Sequence, residues 1–338
     1  VVNGKVTTLV AVIRYANDTS YSFETLKDAI EFAKDGETVV LVRNTTESSI
    51  IAIDKAITVD LNGKTYTSTA KKAFEVYANA TIKNGTIVGA NRCVDTRTAV
   101  ELTLTNVNMI ATATTFGNPQ PLTIGGADNG TKVTMNNVNI NAGGGYGIIT
   151  FVKTDLTATG CAIGGYNGLY VKPGSENSIF TFVDCDLSGS TVSNDVEGNS
   201  FSTIAVRADN VTVNVDKDST VTAAGNYCSA ISLGGTYEGE ETVTGASVTV
   251  AGVINGDVLS AYDYANNDVI LSAAYGNVLT ADGLAFANSG DNLIRITGPA
   301  VVAIGGKGYA SFADAFAGAQ NGDAADINHI AVGVERTI

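Results

Sequence analysis

The chain has 338 residues, 44% of them hydrophobic, with 37 Gly, 4 Pro, 4 Cys, one His and no Trp. That length admits one long repeat structure or two compact domains, and the bias toward Val, Ile, Thr, Asn and Gly favours pleated, turn-rich structure over helix bundles. A formal net charge of −14 makes nucleic acid and anionic membrane poor partners.

No apolar run approaches the roughly 20 residues of a membrane-spanning helix, and no signal peptide is visible. The chain opens at Val1 without Met, as a processed or excised segment would. Residues 6–14 read as a strand, and residues 1–20 form a strand segment with the potential to pair with a neighbour's sheet edge through Val1–Arg14. Next, Phe23, Leu26, Ala29, Ile30 and Ala33 share one face at helical spacing. With Ser22 as N-cap and Gly36 as stop, they predict an amphipathic helix over 22–35. One such helix ahead of a repeat structure is expected to cap it, covering the open strand edge of the first coil.

Coils begin at Thr38, and a short phrase then returns five times. It reads Thr81-Ile-Lys-Asn84, Thr103-Leu-Thr-Asn106, Thr134-Met-Asn-Asn137, Thr157-Ala-Thr-Gly160 and Thr181-Phe-Val-Asp184. Apolar residues alternate with polar ones on both sides, the period of a strand, and the last residue of each phrase marks a corner. The corners fall 22, 31, 23 and 24 residues apart. Such a period signals a solenoid, in which each coil buries its apolar face only by stacking on its neighbours. The register loosens after residue 210, and residues 21–300 are read as one all-β, right-handed parallel β-helix carrying its capping helix. Near the end, Phe312–Asp323 matches Leu26–Glu37 position for position. Residues 301–338 are therefore read as a partial second cap unit.

The four cysteines, Cys93, Cys161, Cys185 and Cys228, contain no CxxC pair, which excludes ordinary zinc-ribbon spacing. Cys161 and Cys185 hold equivalent positions in adjacent coils and should lie about one strand spacing apart. Stacked core thiols are expected there, with a disulfide as the alternative.

The stretch from Ser22 to Tyr66, with its echo from Tyr309 to Asp323, resembles the pectate-lyase-like right-handed parallel β-helix domains of bacterial cell-surface proteins, especially those of gut Gram-positive species. The corner residues Asn84, Asn106 and Asn137, with Asn62 in a looser match, resemble the asparagine ladder of that fold. There each side-chain amide bonds its counterparts above and below in a buried polar column. The resemblance is specific for fold. It is weak for function, because the fold hosts lyases, hydrolases, adhesins and fibres alike.

What the resemblance implies chemically finds little support in the residues. Polygalacturonase-like hydrolases use clustered Asp with Gly-His-Gly and Arg-Ile-Lys motifs, whereas the sole His329 lies beyond the coils and no two Asp are adjacent. Pectate-type lyases need calcium carboxylates and an Arg or Lys that removes the proton α to a uronate carboxylate. Lys172 and Arg207 are the nearest candidates. With Val171 and Val206 facing inward, both should point out from one column on neighbouring coils. Asp184, Asp186, Asp195 and Glu197 lie close in sequence as calcium ligands; no other cofactor is implied. Tyr166 and Tyr170, with Tyr262, Tyr264 and Tyr275, are candidate sugar-stacking rings. The plainer reading of all these groups is solvated strand-edge charges and packed rings.

The expected function is that of a non-catalytic extracellular surface protein, either an adhesin module or a self-assembling fibre or surface-layer block. Its partners would be itself, through end-to-end or strand-addition contacts, or a host or environmental glycan or protein. The alternative is a polysaccharide lyase or glycan-binding β-helix acting on acidic polysaccharide.

Overall fold

A computed structural model of the chain describes residues 8–14, 20–114, 119–126, 130–189, 202–222, 229–234 and 243–250, and beyond these short strands and two helical positions between 253 and 326. The fold is an all-β parallel solenoid of about seven turns. Each coil has three faces. On the first, Thr38–Leu41, Ile57–Ser68, Ala80–Gly89, Glu101–Ala111, Thr131–Asn136, Thr154–Thr159 and Ile179–Val183 pair in parallel, each with the next. The second face is the continuation of these strands past the corner, for example Asn139–Asn141, Ala162–Gly165 and Asp186–Gly189. The third runs from Ile51–Ile53 through Lys72–Val76, Arg92–Thr96, Leu122–Ile124, Tyr146–Thr150 and Asn167–Val171 to Ile204–Val206.

Alternation along each strand sends one set of side chains into the core. Val59, Ile82, Leu104, Met135, Ala158 and Phe182 form one inward column, and all are fully buried. The corner sits two residues further on and is held in the left-handed region: φ is 59° at Asn84, 54° at Asn106, 52° at Asn137, 63° at Gly160 and 53° at Asp184. Asn, Gly and Asp are the residues that tolerate this conformation, which accounts for the composition of the phrase.

The corner amides form a ladder. Asn137 Nδ2 donates to Asn106 Oδ1 at 3.2 Å, Asn106 Nδ2 to Asn84 Oδ1 at 3.2 Å, and Asn84 Nδ2 to Asp60 Oδ1 at 3.2 Å. Two expectations need correction. Asn62 is not a rung: its Nδ2 donates to Leu41 O at 3.2 Å, and Asp60 takes its place. The cause is a register shift between Asp60 and Lys64, where extra residues loop past the corner. Nor is the column buried, since Asn106 and Asn137 are exposed on the outside of the corner. At the next coil Gly160 ends the ladder, and a Cβ there would meet Asn137 Oδ1 at 2.6 Å.

The N-terminal end also differs from expectation. Ser22 is not a helix cap, because Ser20–Phe23 pairs antiparallel with Ala11–Arg14 and is held as strand. The helix α1 is therefore short, Leu26–Phe32, with Thr25 as N-cap accepting from Asp28 N at 3.0 Å. Glu47 of the first coil fastens its start, Oε1 accepting from Leu26 N at 2.6 Å and Oε2 from Lys27 N at 3.3 Å. Carboxylates at a helix N-terminus are favourable. Leu26, Ala29 and Ile30 are buried beneath it. Ala11–Arg14 is paired on both sides, with Ser20–Phe23 and with Thr38–Leu41. It is thus not a free strand for a neighbour, and residues 1–7 lie outside the described residues.

Cys93, Cys161 and Cys185 are free and buried, and Cys161 N donates to Cys185 Sγ at 3.4 Å. Stacked thiols, rather than a bridge, occupy the position after the corner; Cys228 lies outside the described residues. Corner conformation and amide ladder can be separated by substitution. Asn106→Ala should cost about 1–2 kcal/mol in denaturant unfolding, because Ala is strained in the left-handed region. Asn106→Gly should cost less. Equal losses would show that the amide ladder, not the backbone, carries the stability.

Candidate functional site

Lys172 and Arg207 follow Val171 and Val206, which are register partners on the third face and fully buried. The two cations do sit in one column, yet they do not form an open pair. Arg207 is only 3% exposed, and its Nη1 donates to Val206 O at 3.3 Å. Lys172 is half-buried, with Nζ 5.3 Å from the centroid of the Tyr170 ring. Tyr170 is itself 4% exposed and stacks on Tyr146 with centroids 5.0 Å apart, beside Ile149 and Ala205. At Ile149, Tyr170 and Ala205 the outward position on the third face is a covered one, so the Tyr170 ring packs rather than meeting solvent. Tyr166 is half-buried, with its hydroxyl 3.3 Å from where a Cβ on Gly144 would lie. Tyr264 and Tyr275, and the side chain of Tyr262, lie outside the described residues.

The expected calcium carboxylates do not converge. Asp184 is a corner residue whose N–H donates to Asp216 Oδ1 at 3.1 Å, and Asp186 Oδ1 accepts from Thr220 Oγ1 at 2.5 Å. Asp195 and Glu197 lie outside the described residues. Among the described residues no group of three or more His, Cys, Asp or Glu is placed to hold a metal ion.

Asp216 has a clear structural task. Its Oδ1 accepts from Ser219 Oγ at 2.6 Å, Asp184 N at 3.1 Å and Asp218 N at 3.2 Å. Burial pushes this carboxyl up, but the three hydrogen bonds outweigh it and hold the group below its ordinary 3.8.

A cluster on the third face escaped the sequence reading. Lys72 and Arg92 occupy equivalent positions, as do Glu75 and Asp95 in the next coil. Asp95 is fully buried. Its Oδ2 faces Lys72 Nζ at 2.6 Å, Arg92 Nη1 at 2.9 Å and Arg97 Nη1 at 3.6 Å, while Oδ1 has no partner. Glu75 meets Lys72 Nζ at 2.5 Å, Tyr77 Oη at 3.0 Å and Arg97 Nε at 3.8 Å. Burial raises the Glu75 carboxyl, and the bonds from Lys72 and Tyr77 more than offset this, leaving it lowered. Each cation already faces a carboxylate, so the cluster is a closed ion network that clamps two coils. Its signal was the repeated spacing of Lys72, Glu75 and Tyr77 against Arg92, Asp95 and Arg97.

The most regular surface is the outward column of the first face. Thr38, Thr58, Thr81, Thr103, Thr134, Thr157 and Thr181 stand in register across successive coils. Ion pairs flank it: Lys83 with Asp60 at 3.6 Å, and Lys132 with Glu101 at 3.5 Å. A shallow groove of about 260 Å³ runs along it past Thr58, Thr81 and Thr103. A larger hollow of about 700 Å³ opens at the N-terminal end between Thr8, Glu24, Arg43 and Thr67. Comparison with protein-family models, with curated proteins and with solved structures returns no match.

Two outcomes test these assignments. Asp95→Ala leaves three cations around an empty position and should cost about 3 kcal/mol by denaturant unfolding; an unchanged midpoint would show that the cluster does not clamp the coils. Because the folded Asp216 carboxyl is depressed, its contribution is present above 3.8 and lost as pH falls through its lower folded value. Asp216→Asn should therefore flatten the acid limb of thermal stability below that point while leaving the slope near neutrality alone.

Proposed function

We propose that the chain is a non-catalytic, extracellular surface module, a rigid building block of a fibre, surface layer or adhesin. In this reading the coils wind right-handed and α1 closes the N-terminal end. The observation that carries it is the closure of the outward positions where chemistry was expected: Arg207 and Tyr170 are buried; the cations of the Asp95 cluster likewise each face a carboxylate. What the first face turns outward is a repeated column of hydroxyl and methyl groups, exposed at Thr134 and Thr157 and half-buried at the other five threonines, suited to broad contact rather than to one reacting centre. A partner on such a surface is another copy of the chain, or a protein or glycan of the host or environment. The acidic balance of the chain argues against nucleic acid.

The test pairs electron microscopy with an activity assay. Purified chain should appear as rods or ordered assemblies and should release no unsaturated uronate from acidic polysaccharides, with or without calcium. Cleavage that disappears in the Lys172→Ala, Arg207→Ala double variant, at unchanged thermal stability, would overturn the reading in favour of a lyase.

A further inference from the structure

The hairpin that opens the chain recurs near its other end in the same register. Ala11–Arg14 pairs antiparallel with Ser20–Phe23 as Ala11↔Phe23, Val12↔Ser22 and Ile13↔Tyr21, and with the first coil as Val12↔Val40 and Ile13↔Val39. Val302–Ile304 pairs antiparallel with Lys307–Tyr309 as Val302↔Tyr309, Ala303↔Gly308 and Ile304↔Lys307. It also pairs with Ala325–Asp326 as Ala303↔Asp326 and Ile304↔Ala325. Phe23 corresponds to Tyr309, Leu26 to Phe312 and Val40 to Asp326 at one constant offset. Sequence echo and strand pairing give the same alignment independently.

One difference separates the two units. Lys307–Tyr309 has a further neighbour on its outer edge, the parallel strand Leu284–Asn288, with Phe286 opposite Tyr309. Its counterpart Ser20–Phe23 has no strand on that side among the described residues. Phe23 O accepts from Val10 N at 2.8 Å, so Phe23 and Tyr21 turn their backbone groups into the hairpin. Ser20 and Ser22 turn theirs outward. Exposed rings lie beside this edge: Tyr21 is 54% exposed and Phe32 45%. The rings of Tyr21 and Phe23 lie 5.0 and 5.3 Å from that of Phe32.

We infer that the Ser20–Phe23 edge docks a second copy of this chain, taking that copy's Leu284–Asn288 strand in parallel as Lys307–Tyr309 does. Solenoids then join N-terminal edge to C-terminal strand, a head-to-tail contact that repeats without closing. The inference rests on the building-block reading and names its junction. The two hairpins compete for one strand, so an intact copy exposes Leu284–Asn288 only when its own hairpin releases it.

Gly308→Pro in the full chain tests this, since Gly308 is the counterpart of Ser22 within the strand that pairs with Leu284–Asn288, and proline there removes an N–H and crowds the pairing. Sedimentation velocity should show head-to-tail oligomers for Gly308→Pro, and Ser22→Pro added to it should abolish them. Ser22→Pro removes only an outward N–H on an edge strand, where Pro is tolerated, so its melting temperature serves as the folding control. If Gly308→Pro unravels the C-terminal hairpin altogether, Leu284–Asn288 remains paired with Ile294–Pro299 and is still uncovered, so the expectation is unchanged. A monomeric Gly308→Pro chain overturns the inference, as does association that survives Ser22→Pro. Should either occur while the wild-type chain still forms ordered rods and cleaves no polysaccharide, the junction falls and the building-block reading stands.

Discussion

Everything in this fold depends on where the backbone turns. A strand that must bend sharply and then resume needs a residue in the left-handed region, and the chain supplies Asn, Gly or Asp at the same register in coil after coil. Because the side-chain period is two, one slipped residue would send a whole inward column to the surface. The corner therefore holds Ile82, Leu104 and Met135 inside and the threonines outside at once. Core and surface are two consequences of one constraint.

That constraint was legible in the sequence because it is local. Period-two alternation and a recurring Asn need no knowledge of the rest of the chain, and the strands lie where the phrases place them. What failed was non-local. Ser22 looks like a helix cap until Ala11–Arg14 claims it as a strand partner. Asn62 looks like a rung until the looped residues between Asp60 and Lys64 move the corner and leave Asp60 in its place. At the candidate site the column shared by Lys172 and Arg207 was readable from register, but the burial of Arg207 was not. Alternation says which way a side chain points, and says nothing of what lies over it. The Asp95 cluster was readable in principle, since like-placed charges recur from one coil to the next, but it only acquires meaning once those coils are known to be adjacent.

Stacked coils also limit the chemistry that is available. Catalytic groups usually converge from several elements, whereas here a group's nearest neighbours are its counterparts one coil away. The columns accordingly yield either like with like, as in the threonines, or ion pairs such as Lys132 with Glu101. Such pairs are exposed and contribute little individually. The buried carboxylate of Asp95 is different: its desolvation is costly unless cations surround it, and three do. Asp95 thereby links Lys72 of one coil to Arg92 and Arg97 of the next.

The ends of such a rod are its weak points, because an interior coil is stabilised by two neighbours and a terminal coil by one. At the N-terminal end a hairpin extends the first face, and Glu47 ties α1 to the first coil. This unit has two usable edges. One continues into the coil through Ala11–Arg14 and Thr38–Leu41, and the other is Ser20–Phe23. In the counterpart at 302–326 both edges are engaged, one by Ala325–Asp326 and one by Leu284–Asn288. In the junction we infer, a unit whose edges are both filled serves as a joint, and the open edge at Ser20–Phe23, beside the exposed Tyr21 and Phe32 rings, is its unfilled half.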